Sequence, residues 1–166
     1  RAFDLKYWDK FKKVVRDNNV HLGRRLLWAR DHDLETNFRA VFEDILTKKA
    51  TNEQAHWYIF IDGKLCGSVN LRKDKPDEEL LEIGYWLILP HTGKGIVTTC
   101  VKLITDLAFE TTNTPAIEIS FNKNNSKSIN VAKRAGYIFD REIIQDNKIL
   151  FDQYYRLTRE EWEKNH

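Results

Sequence analysis

Three polar residues in the second half of the chain have the types and spacing that proton transfer requires. Glu82 begins an apolar run that reads EIGYWLI, and Asn125 and Ser128 form an Asn-x-x-Ser at the start of a helical pattern. A carboxylate on an apolar strand can accept a proton directly or through water, and a serine hydroxyl can donate one. Each residue also has a purely structural interpretation, because Glu82 can simply start a strand and Asn125 can cap a helix. The residues alone leave both interpretations open.

A glycine-punctuated turn is the second feature that could support chemistry. The run 82–88 is rich in aromatic and β-branched residues and is ended by Pro90, so it predicts a strand. Gly93 and Gly95 follow, and apolar residues then recur at helical spacing from Ile96 onward. The amino terminus of a helix offers free N–H groups and a positive dipole to an anionic phosphate, and Lys94 adds a positive charge. Taken alone, the two glycines would indicate only a strand-to-helix connection.

Two common phosphate-binding motifs do not fit this turn. A P-loop is excluded because glycine, rather than serine or threonine, follows the lysine. A Rossmann fingerprint would use the Gly-x-Gly at 93–95 and Glu118, at a distance of about 20 residues, but Thr98 occupies the third glycine position. In addition, two strand patterns flank an Asp62-Gly63 turn, which predicts an antiparallel hairpin. A dinucleotide fold would have crossover units there instead.

The order of these pieces, from Glu82 to Tyr137, resembles the acyl-CoA-binding core of the GNAT superfamily of N-acetyltransferases. It is most similar to the branch that acetylates the amino termini of ribosomal proteins, whose members commonly read IGYWL, GKGI, N-x-x-S and Gly-aromatic. The resemblance implies an α/β (α+β) fold with a mixed, strongly twisted sheet of about six or seven strands and helices on both faces. It also implies one acetyltransferase domain over residues 1–166, without the family's first strand because the pattern is helical from Asp4. The strands at 82–88 and 116–122 should splay apart.

The resemblance implies acetyl-CoA as co-substrate and no metal. The coenzyme A contacts that it transfers to this chain fall on Trp86, Leu87, Ile88, Thr92, Gly93, Lys94, Gly95, Ile96, Val97, Thr98, Asn125 and Ser128. This chain departs from the family at two of these positions. Thr92 stands where a long polar residue is usual, and Val97 stands where a small one is usual. We expect Thr92 to support the turn less well and the β-branched Val97 to crowd the phosphate.

Catalytic roles follow from the same resemblance. Glu82 takes the role of general base, Asn125 binds the pantetheine arm, and Ser128 protonates the departing thiolate. Many members use a tyrosine where this chain has Ala132, which leaves Ser128 as the better candidate for the acid. A backbone N–H near Leu87 would hold the developing oxyanion.

The acceptor side is assigned to the first half of the chain, where Trp28, Asp31 and His32 are candidate substrate-binding residues.

An α-amine has a pKa of about 7.7 to 8.0 and a lysine about 10.4, so a lysine costs about 3.4 kcal/mol more to deprotonate. A site with one base therefore favours a protein amino terminus, of the ribosomal-protein type. Two alternatives stay open. One is a small amine such as a polyamine or aminoglycoside, and the other is a non-catalytic acyl-CoA-binding module.

Composition limits the remaining classes of function. A chain of 166 residues with 42% hydrophobic and 31% charged residues predicts one globular domain. The net charge of +2 predicts no nucleic-acid partner, and the sequence has no pattern of a membrane span or leader, so we expect a cytoplasmic protein. Cys66 and Cys100 lack metal-ligand spacing and are expected to be thiols. Relatives are often dimers, so a homodimer is an open expectation.

Overall fold

The computed structural model describes residues 1–30, 34–50, 53–73, 79–143 and 153–166. Its helices are α1 (Trp8–Asp17), α2 (Asn19–Leu22), α3 (Leu34–Ala50), α4 (Ile96–Thr111), α5 (Ser126–Arg134) and α6 (Arg159–Glu163). Its strands are β1 (Gln54–Ile61), β2 (Lys64–Lys73), β3 (Leu81–Leu87), β4 (Ala116–Phe121), β5 (Ile138–Glu142) and β6 (Gln153–Thr158). Short 3₁₀ turns occupy Leu5–Tyr7, Leu27–Ala29 and Leu89–His91. The strand predicted at 82–88 and the helix predicted from Ile96 onward are thereby confirmed as β3 and α4.

The six strands form one mixed sheet in the order β1-β2-β3-β4-β6-β5. Strands β3 and β4 are parallel and pair at Leu81↔Ile117 and Glu82↔Glu118, whereas β6 is antiparallel to both β4 and β5. This mixed sheet with flanking helices confirms the predicted fold class. The divergence of β3 from β4 stays a prediction.

The hairpin between β1 and β2 has the turn that its sequence predicts. Asp62 and Gly63 have φ angles of 48° and 76°, and two successive residues with positive φ match the right-handed twist of the flanking strands. The sequence also predicts a hairpin of strands at 138–145 and 148–157 around an Asp146-Asn147 turn, and this turn lies outside the described residues.

The described residues divide into two compact units. Unit 1 comprises Arg1–Asn70 and Tyr85–Lys94, and unit 2 comprises Leu71–Gly84 and Gly95–His166. The sequence-based expectation of one acetyltransferase domain stays a prediction. None of the helices in the described ranges is both long enough and apolar enough to cross a membrane.

Unit 1 has an aromatic core. Phe11, on the apolar face of α1, is 1% exposed and stacks with Trp8 at 4.8 Å and with Trp28 at 5.9 Å between ring centroids. Its ring also meets Trp86 edge to face at 5.7 Å. Large aromatic side chains bury much surface each and gain further from such geometries. They therefore hold α1 against the strands of this unit.

Unit 2 has a core in which aliphatic residues outnumber aromatic ones, and a buried pair of hydroxyl groups. On β4, Ile117 and Ile119 are 0% and 1% exposed, and side chains alternate between the two faces of a strand. Glu118 and Ser120 therefore lie on the opposite face. Thr105 and Tyr137, which are both buried, share a hydrogen bond of 2.6 Å between their hydroxyl oxygens. The alternation along β4 thus gives unit 2 an apolar face and a polar face.

The first three residues lie beside β1. The N–H of Phe3 donates to the carbonyl of His56 at 2.8 Å, the N–H of Tyr58 donates to the carbonyl of Arg1 at 2.7 Å, and Ala2 forms an antiparallel bridge with Trp57. The sequence predicts no strand ahead of the first helix. The structure places a short extended segment there.

A row of polar side chains lies on one face of β1. Gln54 and Tyr58 are buried, and neither the Tyr58 hydroxyl nor either ring nitrogen of His56 has a hydrogen-bond partner among the described residues. Burial lowers the pKa of His56 to about 4 and raises the pKa of Tyr58. His56 is consequently neutral at neutral pH.

The lowered pKa of His56 makes the free energy of unfolding depend on pH. The unfolded chain binds this proton at about pH 6.5, whereas the folded chain binds it only near pH 4. The free energy of unfolding should therefore fall as the pH drops through this window, by up to about 3 kcal/mol from this residue. His56→Gln should flatten that slope, measured by urea unfolding at several pH values. His166→Gln, at an exposed histidine, is the control. If the free energy of unfolding changed with pH as steeply in His56→Gln as in the wild type, the assignment to His56 would be wrong.

Candidate active site

The turn before α4 has the backbone geometry of an anion site. Gly93 and Gly95 have φ angles of 79° and 77°. Residues with a side chain rarely adopt such angles, whereas glycine adopts them freely. Gly95 is the residue that precedes the helix, and its carbonyl accepts the first helical bond from Thr99 at 3.0 Å. The N–H groups at the start of a helix have no partner within the helix. Those of Ile96, Val97 and Thr98 are therefore placed to donate to an anion.

The neighbours of these glycines have different surroundings. Lys94 is exposed, so its ammonium group lies in solvent beside the turn. Thr92 donates from both its N–H and its hydroxyl to the carbonyl of Leu89, at 3.1 and 2.9 Å. Its side chain thus closes the preceding 3₁₀ turn. The expected weakening of cofactor binding by Thr92 and Val97 stays a prediction.

Asn125 and Ser128 form one hydrogen-bonded pair at the start of α5. The Asn125 side chain accepts from the N–H of Ser128 and donates through Nδ2 to Ser128 Oγ at 2.9 Å. Asn125 is therefore the helix cap that the sequence allowed. It also orients Ser128, because an oxygen that accepts from Asn125 directs its own hydrogen elsewhere. The cap and the proposed acid belong to one unit of structure.

Glu82 is held by side chains from the two neighbouring strands. It is 6% exposed. Arg72 on β2 donates through Nε and Nη2 to Oε2 at 3.1 and 2.8 Å, and the Ser120 hydroxyl on β4 donates to Oε1. These hydrogen bonds fix the position of the Glu82 carboxylate. Its proposed role as base stays a prediction.

Glu118 is the second buried carboxylate on this face, with 5% of its surface exposed. Arg141 donates to both of its oxygens at 2.7 and 3.0 Å, and Arg156 donates to Oε1 at 2.9 and 2.5 Å. Burial by itself would raise the pKa of Glu118, but the hydrogen bonds from the two arginines outweigh it and lower that pKa. Asp140 contacts both arginines, which leaves the cluster electrically balanced.

A β-bulge in β5 places Arg141 on the same face of the sheet as Glu118. The register of β5 on β6 shifts between Phe139 and Arg141, and a bulge of this kind turns the following side chain to the other face of a sheet. Arg141 reaches Glu118 from that position and also lies over the ring of Tyr154 at 4.1 Å. The irregularity in β5 is thus part of the charged face.

The residues predicted in unit 1 are placed differently. Trp86 and Leu87 are 7% and 6% exposed, and the Trp86 ring packs in the aromatic core, 6.5 Å from the ring of Trp28. The N–H of Ile88 donates to the carbonyl of Cys66 at 2.9 Å. A cofactor contact by Trp86 would therefore use its backbone. The predicted acceptor residues Asp31 and His32 lie outside the described residues.

Sequence reasoning missed the partners of Glu82. Arg72 and Ser120 are 10 and 38 residues away from Glu82 in the sequence. The signal for Ser120 was present in the alternation IEISF, which puts Glu118 and Ser120 on one face of a strand. Glu118 was considered only as a ribose-binding acid, and the structure pairs it with arginines instead. Within the described ranges, no group of side chains has the composition of a metal site.

Removing the charge of Glu118 should destabilise unit 2. Glu118→Gln leaves Arg141 and Arg156 near each other with only Asp140 to balance them. Because both arginines are about one third exposed (38% and 33%), water screens part of the effect, and we expect a loss of about 2 kcal/mol in the free energy of unfolding. Glu160→Gln, which removes an exposed ion pair with Lys164, is the matched control. Equal unfolding midpoints for the two variants would refute this account.

Comparison with known proteins agrees with this arrangement. The family model described as an acetyltransferase (GNAT) domain matches residues 2–138. The chain is 30% identical over 169 residues to a protein of Bacillus subtilis (strain 168) named "Putative ribosomal N-acetyltransferase YdaF", covering 98% of this chain and 92% of that protein.

Two solved structures share the fold at lower identity. One is RimL, a ribosomal L7/L12 alpha-N-protein acetyltransferase in complex with coenzyme A, with a TM-score of 0.82, 20% identity and coverage of 95% of this chain and 92% of that one. The other is a mutant of the spermidine N-acetyltransferase SpeG from Vibrio cholerae, with a TM-score of 0.75, 15% identity and coverage of 99% and 97%. The family match spans most of the chain and agrees with the turn, cap and sheet described above. This chain is a member of the GNAT family of acetyltransferases.

Proposed function

We propose that this enzyme transfers an acetyl group from acetyl-CoA to the α-amine of a protein amino terminus, of the ribosomal-protein type. The observation that carries the choice of acceptor is the Glu82 carboxylate, which Arg72 and Ser120 hold. These bonds fix the position of the carboxylate that the proposed chemistry uses as its single base. An α-amine is partly neutral at physiological pH and a lysine is almost wholly charged. A site that relies on one base therefore suits an α-amine.

The residues at the start of α4 fit the phosphates of acetyl-CoA. The N–H groups of Ile96, Val97 and Thr98 point out of the helix, its dipole is positive at that end, and Gly95 before them has no side chain to obstruct a ligand. Lys94 supplies a further positive charge. Asn125 would hold the pantetheine arm. The remaining cofactor contacts expected from the sequence stay predictions.

The proposed chemistry uses two side chains. Bound acetyl-CoA supplies the thioester carbonyl carbon that the amine attacks. Glu82 takes one proton from the ammonium form of the acceptor, and the nitrogen lone pair forms the C–N bond as the C–S bond breaks. Ser128 donates its hydroxyl proton to the departing sulfur and regains a proton from the nitrogen through solvent. The sum is one amide, one thiol and one proton released from Glu82 to solvent.

A polyamine acceptor is the second candidate, because the spermidine enzyme SpeG shares the fold. A polycation is bound best by carboxylates that have no cation of their own. In the described part of unit 2, the two buried carboxylates, Glu82 and Glu118, are both paired with arginines. This face consequently offers a polycation little attraction. The peptide α-amine is the better match.

The role of the α4 turn can be tested with two glycines of equal backbone strain. Gly95→Ala and Gly63→Ala each force a side chain into a φ of about +77° and +76°, and neither new Cβ meets a neighbour within 4 Å. Both should lose about 1 to 2 kcal/mol of stability. Only Gly95→Ala should weaken coenzyme A binding, by about tenfold, measured by calorimetric titration. Similar affinities for the two variants would place the phosphate site elsewhere.

The transfer reaction and its acceptor are tested by thiol release from acetyl-CoA. Peptides with free amino termini should be acetylated, whereas the same peptides with blocked termini and an internal lysine, spermidine and an aminoglycoside should react poorly. Ser128→Ala should lower kcat by about 100-fold, a much larger effect than any weakening of coenzyme A binding. Ser126→Ala, on the exposed side of the same helical turn, is the matched control. Binding of acetyl-CoA without release from any acceptor would identify a non-catalytic module.

A further inference from the structure

The buried position of Glu82 limits how a proton can reach it. Its side chain is only 8% exposed, and a carboxylate oxygen has two lone pairs. The two N–H groups of Arg72 account for both lone pairs of Oε2, and Ser120 donates to Oε1. An incoming proton therefore adds at Oε1. The side chain already bonded to Oε1 is Ser120, which is more exposed than Glu82.

We propose that Ser120 is a further catalytic residue, which relays the acceptor's proton to Glu82. This inference rests on the proposed function. A hydroxyl donates and accepts at once. Ser120 Oγ accepts a proton from the ammonium group as its own proton passes to Glu82 Oε1. One N–H bond and one O–H bond break, and one O–H bond forms on each of Ser120 and Glu82. The acceptor is left as a neutral amine, and Glu82 as a carboxylic acid that later returns its proton to solvent by the reverse route.

Arg72 acts as a positioning residue in this relay. Its two hydrogen bonds fix Oε2, so Oε1 stays directed at Ser120. The three side chains come from β2, β3 and β4, which are neighbours in the sheet, and groups on paired strands are held more rigidly than groups on loops. The relay is thus built on strands rather than on loops.

Glu118 does not compete for the proton. It lies beside Glu82 in the register of β3 on β4, and its two arginines lower its pKa. It therefore stays ionised when Glu82 is protonated. The positive charge of Arg141 and Arg156 also offsets its repulsion of Glu82. The two carboxylates thus have different roles. Glu82 takes part in the relay, and Glu118 links β4 to the arginines of β5 and β6.

The pH dependence of Ser120→Ala separates a relay from a structural role. An acceptor α-amine is mostly charged at about pH 6.5 and mostly neutral above about pH 9, where it needs no base. Ser120→Ala should therefore lower kcat/KM at least about tenfold at the lower pH and less than about twofold at the higher one. Ser120→Thr keeps a hydroxyl and should restore activity at both. Ser68→Ala, which removes a buried serine elsewhere in the sheet, is the control and should behave as wild type.

The outcomes distinguish the relay from the function on which it rests. A Ser120→Ala defect of equal size at every pH, with the wild type active, would overturn the relay and leave the acetyltransferase function standing. A wild type inactive towards all acceptors would overturn the function and the relay with it. Coenzyme A affinity shows whether a variant has folded correctly.

If Ser120→Ala does not bind coenzyme A like the wild type, Glu82→Gln provides the same test, because an amide cannot take the proton. A loss of kcat/KM in Glu82→Gln that is the same at both pH values overturns the relay.

Discussion

Two carboxylates that lie side by side on one sheet face are the constraint on which the rest of unit 2 depends. Glu82 and Glu118 are directly paired in the register of β3 on β4, and both are buried. Like charges in this position repel each other, and burying a charge without a partner is costly. Arginines solve both problems, with Arg72 reaching Glu82 from β2 and two arginines reaching Glu118 from β5 and β6. Removing any of them would leave a charge uncompensated.

The same pairing links structure to chemistry. Arg72 and Ser120, which hold Glu82 from β2 and β4, also place it for the proposed proton transfer. In the proposed function, the preference for α-amines over lysines comes from the lower cost of deprotonating an α-amine. That preference would need no pocket that reads the side chain of the acceptor. Specificity within the class of amino termini would still be decided by contacts elsewhere.

The sequence predicted what depends on near neighbours. The hairpin at Asp62 and Gly63, the cap at Asn125 and the helix after Gly95 are local, and the structure confirms each. The family resemblance identified the fold class, which local patterns could not do. The partners of Glu82 were missed because they depend on strand order and register. Arg141 could not be found by alternation at all, since a bulge changes which way it faces. Periodicity assigned Trp86 to a strand face and did not reveal that its ring fills the aromatic core.

The position of β6 between β4 and β5 has a consequence for how the chain folds. Glu118 lies 38 residues before Arg156, so β4 cannot complete its charge balance until β6, one of the last elements of the sequence, has been added beside it. Contacts between distant residues close slowly, because the entropy of the intervening loop is lost before they form. During synthesis, the charge balance on the polar face of β4 cannot be completed before β6 has been made. We therefore expect this face to form later in folding than the local hairpin between β1 and β2.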